Sequence, residues 1–346
     1  MAFYRNYIQI LNYNSCRLLI PNFRKIHCMM LQAQDVNITE PTKELRAYQK
    51  VSAPDGYQED ELDSEIDNFV EEEDFGELTK LDYRNRNDPT RFSQYANKIF
   101  TDAMDEDFSD LISSDMFLLT QKDITPYARE ASIKWLYQVA ITRIKCTSDA
   151  LFSAIFYLDI VLCNQNVSKS NLQAIVVTCL WTAMKLDGLD YITLEQFLNE
   201  LSLPIPSDVI IKTEIDLIKI LNFRLMYPTS RALLRRFCDV LSPDDQTITE
   251  CACFFCQIGL LMFESLNCSS SEIASSAIYS AFVGLEIEFP MHIFLNYTNI
   301  TQDRIIEVSN LMNQKAKTVL SDHKHILYES FANNKNLTSG ITKLKL

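Results

Sequence analysis

Residues 170–186 read SNLQAIVVTCLWTAMKL. A helix through this stretch is apolar on most of its faces, so it belongs in the centre of a bundle, with other helices around it. Its neighbours in sequence supply them. Segment 149–163, DALFSAIFYLDIVLC, places apolar residues at 151, 152, 155, 158, 161 and 162, a helical spacing, with Ser148 or Asp149 positioned to cap its start. Segment 207–221, SDVIIKTEIDLIKIL, opens on a Ser/Asp cap and carries apolar residues at 210, 211, 215, 217, 218 and 221 on a broad face. Pro204 and Pro206 precede it and Pro228 follows, which punctuates its ends.

The second half repeats the layout. Segment 229–241 starts with a Thr cap after proline, 248–267 reads as one long apolar helix, and 270–285 has small residues that permit close helix approach. Segment 301–320 is amphipathic and capped by Thr301. Strand alternation is absent from the body of the chain. The expected fold class is all-α: two tandem helix bundles joined near 223–228.

Composition narrows the possibilities further. Six glycines in 346 residues exclude collagen and argue against a glycine-rich dinucleotide-binding turn. The formal charge is −14, but residues 55–77 hold twelve acids and no Lys or Arg. Like charges at that density repel, and few apolar groups offset the entropy of ordering them, so 1–82 is expected to be disordered. The body is then close to neutral, which argues against nucleic-acid binding. Residues 1–34 carry Arg5, Arg17, Arg24 and Lys25 with no acid, a weak likeness to a targeting presequence, but are poor in Ser and interrupted by Pro21. Apolar runs fall short of a membrane span, so no membrane partner is expected.

The body offers no catalytic constellation: neither a phosphate-cradling glycine loop nor a Gly-x-Ser-x-Gly elbow occurs. Cys146, Cys163, Cys179 and Cys238 lie in apolar runs, as buried thiols do, and Cys251, Cys253 and Cys256 lack a second ligand pair for a metal. His323 and His325 flank Lys324 in a polar stretch and are expected at the surface. The reading is a non-enzyme without metal or cofactor.

Several stretches carry a family resemblance. They are Asp123-Ile-Thr-Pro-Tyr-Ala-Arg129 with Ser132-Ile-Lys-Trp135-Leu, then Phe156-Tyr-Leu-Asp159, then 172–185 (LQAIVVTCLWTAMK), 214–225 (EIDLIKILNFRL) and 228–237 (PTSRALLRRF). In that order and spacing they resemble the cyclins, specifically the A/B-type mitotic cyclins. Residues 81–89 (LDYRNRNDP) followed by Gln94 to Phe100 are similar to the helix that precedes the first box in that group. The resemblance implies a cyclin fold of two five-helix boxes, 123–225 and 226–322, after an N-terminal helix region at 83–113, with 323–346 as a C-terminal tail.

The resemblance also implies a function. It is that of a non-catalytic regulatory subunit forming a heterodimer with a cyclin-dependent serine/threonine protein kinase, activating it in G2/M control, and found in nucleus and cytoplasm. Lys185 and Glu214 match the family's charged kinase-binding pair; Leu186, Ile218, Phe223 and Leu225 match the apolar positions around it, and Tyr95 and Ile99 match contacts on the N-terminal helix. Arg129 and Asp159 match a buried ion pair that ties the box helices together. Ala128, Ser132 and Trp135 fall on the family's docking patch for kinase substrates or inhibitors, degenerate here because Ala128 and Ser132 replace large apolar residues. Arg17-Leu-Leu-Ile20 lacks the leucine of a destruction box. A cyclin-fold protein working in transcription, as a kinase subunit or a DNA-bound adaptor, is the second reading; the near-neutral body weighs against the adaptor.

Overall fold

The computed structural model describes residues 93–105, 110–144, 146–188, 192–241 and 245–332, with Leu344. The acidic stretch and the rest of 1–82 lie outside the described residues. The chain divides into two units whose boundary falls between Asn97 and Lys98, within the first helix, α1 (Ser93–Met104); both bundles belong to the larger unit. No strand occurs among the described residues.

A short helix, α2 (Ser114–Thr120), leads into the first box: α3 (Pro126–Val139), α4 (Ser148–Asn164), α5 (Lys169–Leu186), α6 (Leu194–Leu201) and α7 (Ser207–Ile220). The second box is α8 (Ser230–Leu241), α9 (Gln246–Leu261), α10 (Ser270–Gly284), α11 (Met291–Thr298) and α12 (Gln302–Ser321). The centre of the first is α5, packed on α3, α4 and α7. Its run Val176–Met184 is buried throughout, as a helix apolar on most faces requires. The centre of the second is α10, packed on α8, α9 and α12. Small side chains make the close approach possible. Ala274, Ala277 and Ala281 are fully buried, and a Cβ on Gly259 of α9 would come within 2.9 Å of Ile273 and 3.0 Å of Met312.

Several local expectations need correction. Helix α4 is capped by Thr147, whose side chain accepts from the Ala150 amide, rather than by Ser148 or Asp149. Asp149 instead accepts two hydrogen bonds from Arg235 of the second box, at 2.8 and 2.7 Å. Helix α7 has no side-chain cap; the Pro206 carbonyl accepts from Val209 and Ile210 at its start. The long helix expected over 248–267 stops at Leu261. Met262 turns extended, offering its carbonyl to the Arg129 guanidinium and the Ser265 hydroxyl, and a 3-10 turn follows at Glu264–Asn267.

The stretch expected as a tail begins with a helix, α13 (Ile326–Ala332), packed on α3 and α12 with Leu327 fully buried. His325, expected at the surface, is buried at its foot; His323 is exposed. Apolar neighbours in sequence, Ile326 and Leu327, draw His325 inward.

Candidate functional site

The last turn of α5 and the middle of α7 lie side by side, because both helices direct apolar rows at each other. That packing brings together Lys185 and Glu214, 29 positions apart in sequence. Lys185 Nζ lies 2.5 Å from Glu214 Oε1. The Thr182 hydroxyl donates to the same oxygen at 2.9 Å, and the Lys185 ammonium sits 5.5 Å from the centre of the Trp181 ring. The two partners differ in access: the Glu214 side chain is 14% exposed, that of Lys185 42%. A pair this open contributes at most about 1 kcal/mol to folding, since water screens it. Its ammonium is available to another molecule.

Around the pair the surface is apolar. Leu186 is exposed at the end of α5, and Ile218 of α7 and Leu225 beyond it are half-buried. Phe223 is the most open of these, at 76%, and its backbone is unusual. Asn222 and Phe223 both take the left-handed conformation, at φ 49° and 58°, with the Phe223 amide closing the helix on the Ile218 carbonyl at 2.9 Å. Left-handed backbone costs an L-residue about 1–2 kcal/mol, and a bulky aromatic is rarely found there. The strain holds a large ring out in solvent, where it earns no burial.

Residues missed in the sequence extend this surface. Ile211 and Ile215 of α7 are about half exposed, and with Glu214 and Ile218 they form one stripe at i, i+3, i+4 and i+7. The broad apolar face splits in two: Ile210, Leu217 and Leu221 go inside, while Ile211 and Ile215 face out. The signal was present in the spacing, as two parallel apolar rows on one helix.

On α1, Tyr95 is exposed, whereas Ile99, matched with it on the binding side of that helix, is buried. The next residue explains this: Phe100 stacks on Tyr297 and meets Phe237 edge-on, which draws that turn of α1 into the second box. Ala128, Ser132 and Trp135 lie half-buried along one row of α3, with the Ser132 hydroxyl turned back to the Ala128 carbonyl at 2.9 Å. Arg129 and Asp159 meet deep inside, Nε to Oδ1 at 2.6 Å and Nη2 to Oδ2 at 2.7 Å, with side chains 1% and 9% exposed. The remaining nitrogen, Nη1, donates to the Met262 carbonyl of the second box at 3.1 Å.

Among the described residues no group of His, Cys, Asp or Glu is arranged to hold a metal, and no helix is long and apolar enough to cross a membrane. The described cysteines, Cys251, Cys253 and Cys256 among them, are free thiols. Burial pushes Cys146 and Cys256 up to about 12, so neither is a ready nucleophile.

Comparison with known proteins agrees with this architecture. The family model described as "Cyclin, N-terminal domain" matches residues 98–226, and that described as "Cyclin, C-terminal domain" matches 221–343. Cyclin-A2-1 of Arabidopsis thaliana is 25% identical over 263 residues, covering 73% of this chain and 59% of its own length. Cyclin-A1-2 of Oryza sativa subsp. japonica is 26% identical over 201 residues, covering 57% and 42%. The chain therefore spans between 42% and 59% of the length of these relatives. The X-ray structure of a viral cyclin from herpesvirus saimiri shares the fold, with TM-score 0.52 and 15% identity over 60% of this chain and 94% of that one. With two family models that together span both bundles, and A-type cyclins among its relatives, the chain belongs to the cyclin family, as a divergent member.

Proposed function

We propose that the chain is a regulatory subunit that binds and activates a cyclin-dependent serine/threonine protein kinase in cell-cycle control at G2/M, acting in nucleus and cytoplasm and carrying no catalytic residues of its own. The observation that supports it best is the half-open Lys185–Glu214 pair set among the exposed Leu186, Ile215 and Phe223 and the half-buried Ile218. Such a surface suits an amphipathic helix of a partner. These apolar side chains bury against the helix's apolar face, and the pair supplies an ammonium and a carboxylate to polar groups that lose water at the contact. A kinase regulated by the position of one helix beside its catalytic cleft is switched by just such a contact.

The test is capture of a cyclin-dependent kinase by the purified chain. The double variant Lys185→Ala, Glu214→Ala is expected to keep its helical content and melting temperature while capture falls at least about tenfold, equivalent to about 1.4 kcal/mol. Undiminished capture by the double variant removes the assignment of this surface.

A further inference from the structure

Between the boxes lies a cavity of about 500 Å3, within the range of pockets that accept small ligands or side chains. Its apolar wall comes from Phe152 and Phe156 of α4, Leu260 of α9 and Ile273 of α10. None of its lining residues belongs to the Lys185–Glu214 surface or to the α3 row of Ala128, Ser132 and Trp135.

Among the described residues the charged side chains that line it are acids, Asp105, Asp159 and Glu272, and the arginine beside its wall, Arg304, is engaged by the Asn267 carbonyl at 3.0 Å as well as by Glu272. Asp159 is held by Arg129, and Glu272 accepts from Arg304 Nε at 2.8 Å. Asp105 stands exposed just past Met104, the last residue of α1. The carbonyl end of a helix already carries partial negative charge, so an acid there opposes the helix dipole, and helix stability does not account for it.

One element at the cavity would draw an anion instead: the N-terminus of α10, formed by Ser269 and Ser270. It is already occupied by the chain itself. The Ser269 hydroxyl accepts from the Glu272 amide at 3.1 Å, and the Glu272 carboxylate accepts from the Ser269 amide at 2.9 Å. An incoming anion would meet that carboxylate. The mouth therefore favours a cation, over a wall bearing two aromatic rings.

We propose that this cavity docks a short segment of a partner protein in which an aromatic side chain stands beside an arginine. The ring enters between Phe156 and Ile273, and the guanidinium remains at the rim against Asp105 and the carbonyl end of α1. The α3 row offers only Ala128 and Ser132 where a docking segment needs large apolar partners, so the cavity is the better-formed receptor of the two.

The full chain is titrated with N-acetyl-Phe-Arg-amide and, separately, N-acetyl-Phe-Gln-amide, following backbone amide shifts by NMR. The arginine peptide is expected to move the amides of Phe156, Cys268 and Ser270, and to bind about tenfold more tightly than the glutamine peptide. Asp105→Lys, a change at an exposed position, should remove that difference by weakening the arginine peptide alone. Ser270→Trp, which fills the mouth, should abolish both. Equal binding of the two peptides, shifts centred elsewhere, no binding at all, or binding that survives Ser270→Trp in a folded variant overturns the proposal.

Discussion

Arg129 uses every edge of its guanidinium: two nitrogens grip Asp159 and the third reaches the Met262 carbonyl. A charge this deep is tolerated only because each nitrogen finds an acceptor, and removing one partner strands the other. Asp159→Ala is therefore expected to cost about 3–5 kcal/mol. In a calorimetric scan it should lower the melting temperature sharply and reduce kinase capture only in step with the folded fraction; a variant as stable as its parent that binds poorly would move Asp159 to an interface. Phe223 poses the opposite case. Its ring is exposed and its backbone left-handed, so Phe223→Gly relieves about 1–2 kcal/mol of strain while the added freedom of the unfolded chain takes back a similar amount. The melting temperature should hardly change, yet kinase capture should fall; equal capture would make the ring incidental. The ion pair was legible in the sequence through its family pattern. The Met262 carbonyl and the left-handed turn were not, since a backbone oxygen and a φ angle leave no mark on side-chain identity.

Helices show the same division between what spacing reveals and what packing decides. Seven of the ten box helices, α4, α5, α7, α8, α9, α10 and α12, follow from apolar period and proline punctuation, whereas α3, α6 and α11 entered only through the family's five-helix pattern. Which of two adjacent apolar rows on α7 turns inward does not, because Ile211 and Ile215 keep helical spacing as well as Ile210 and Leu217 do. Only the position of α5 decides. The C-terminal helix α13 was hidden for a related reason: a polar stretch of 323–325 masks a docked turn. At its foot the His325 Nδ1 accepts the Leu327 amide at 3.3 Å, and Nε2 is buried without a hydrogen-bond partner among the described residues. Burial, and then Lys134 of α3, hold the imidazole below its ordinary value; Lys315 of α12 acts in the same direction, and Asp322 and Glu130 against it. The undocked helix thus binds the proton more readily, and its docking is fully stabilised above the ordinary histidine value near 6.5 and weakens as pH falls below it. Hydrogen exchange over 326–332, corrected for intrinsic rates, should lose protection between about pH 7.5 and pH 5.5. His325→Asn keeps an acceptor for the Leu327 amide without titrating and should flatten that response; a parent already flat would refute the coupling.

At the scale of the whole larger unit, the boxes are fastened at separated points. Arg129 reaches Met262, Asp149 binds Arg235, and Lys315 of α12 binds Glu130 of α3 at 2.8 Å. The Tyr157 hydroxyl also donates to the Leu225 carbonyl in the connector. Two tandem bundles were legible in the sequence as a repeat of helical segments, but their fastening was not, since its partners lie 68 to 185 positions apart. Ties of this kind make independent unfolding of either box costly. A calorimetric scan should show one transition whose van't Hoff and calorimetric enthalpies agree to within about a tenth, whereas two resolved transitions would show that the boxes melt separately. The same fastening has a consequence for geometry. A surface on α5 and α7 and a cavity between α4 and α10 cannot drift apart, so the chain acts as a ruler of fixed length. For a molecule tethered at one end and acted on at the other, the spacer between its two recognised segments then sets the local concentration: too short a spacer cannot span the gap, and each added length dilutes the reacting end.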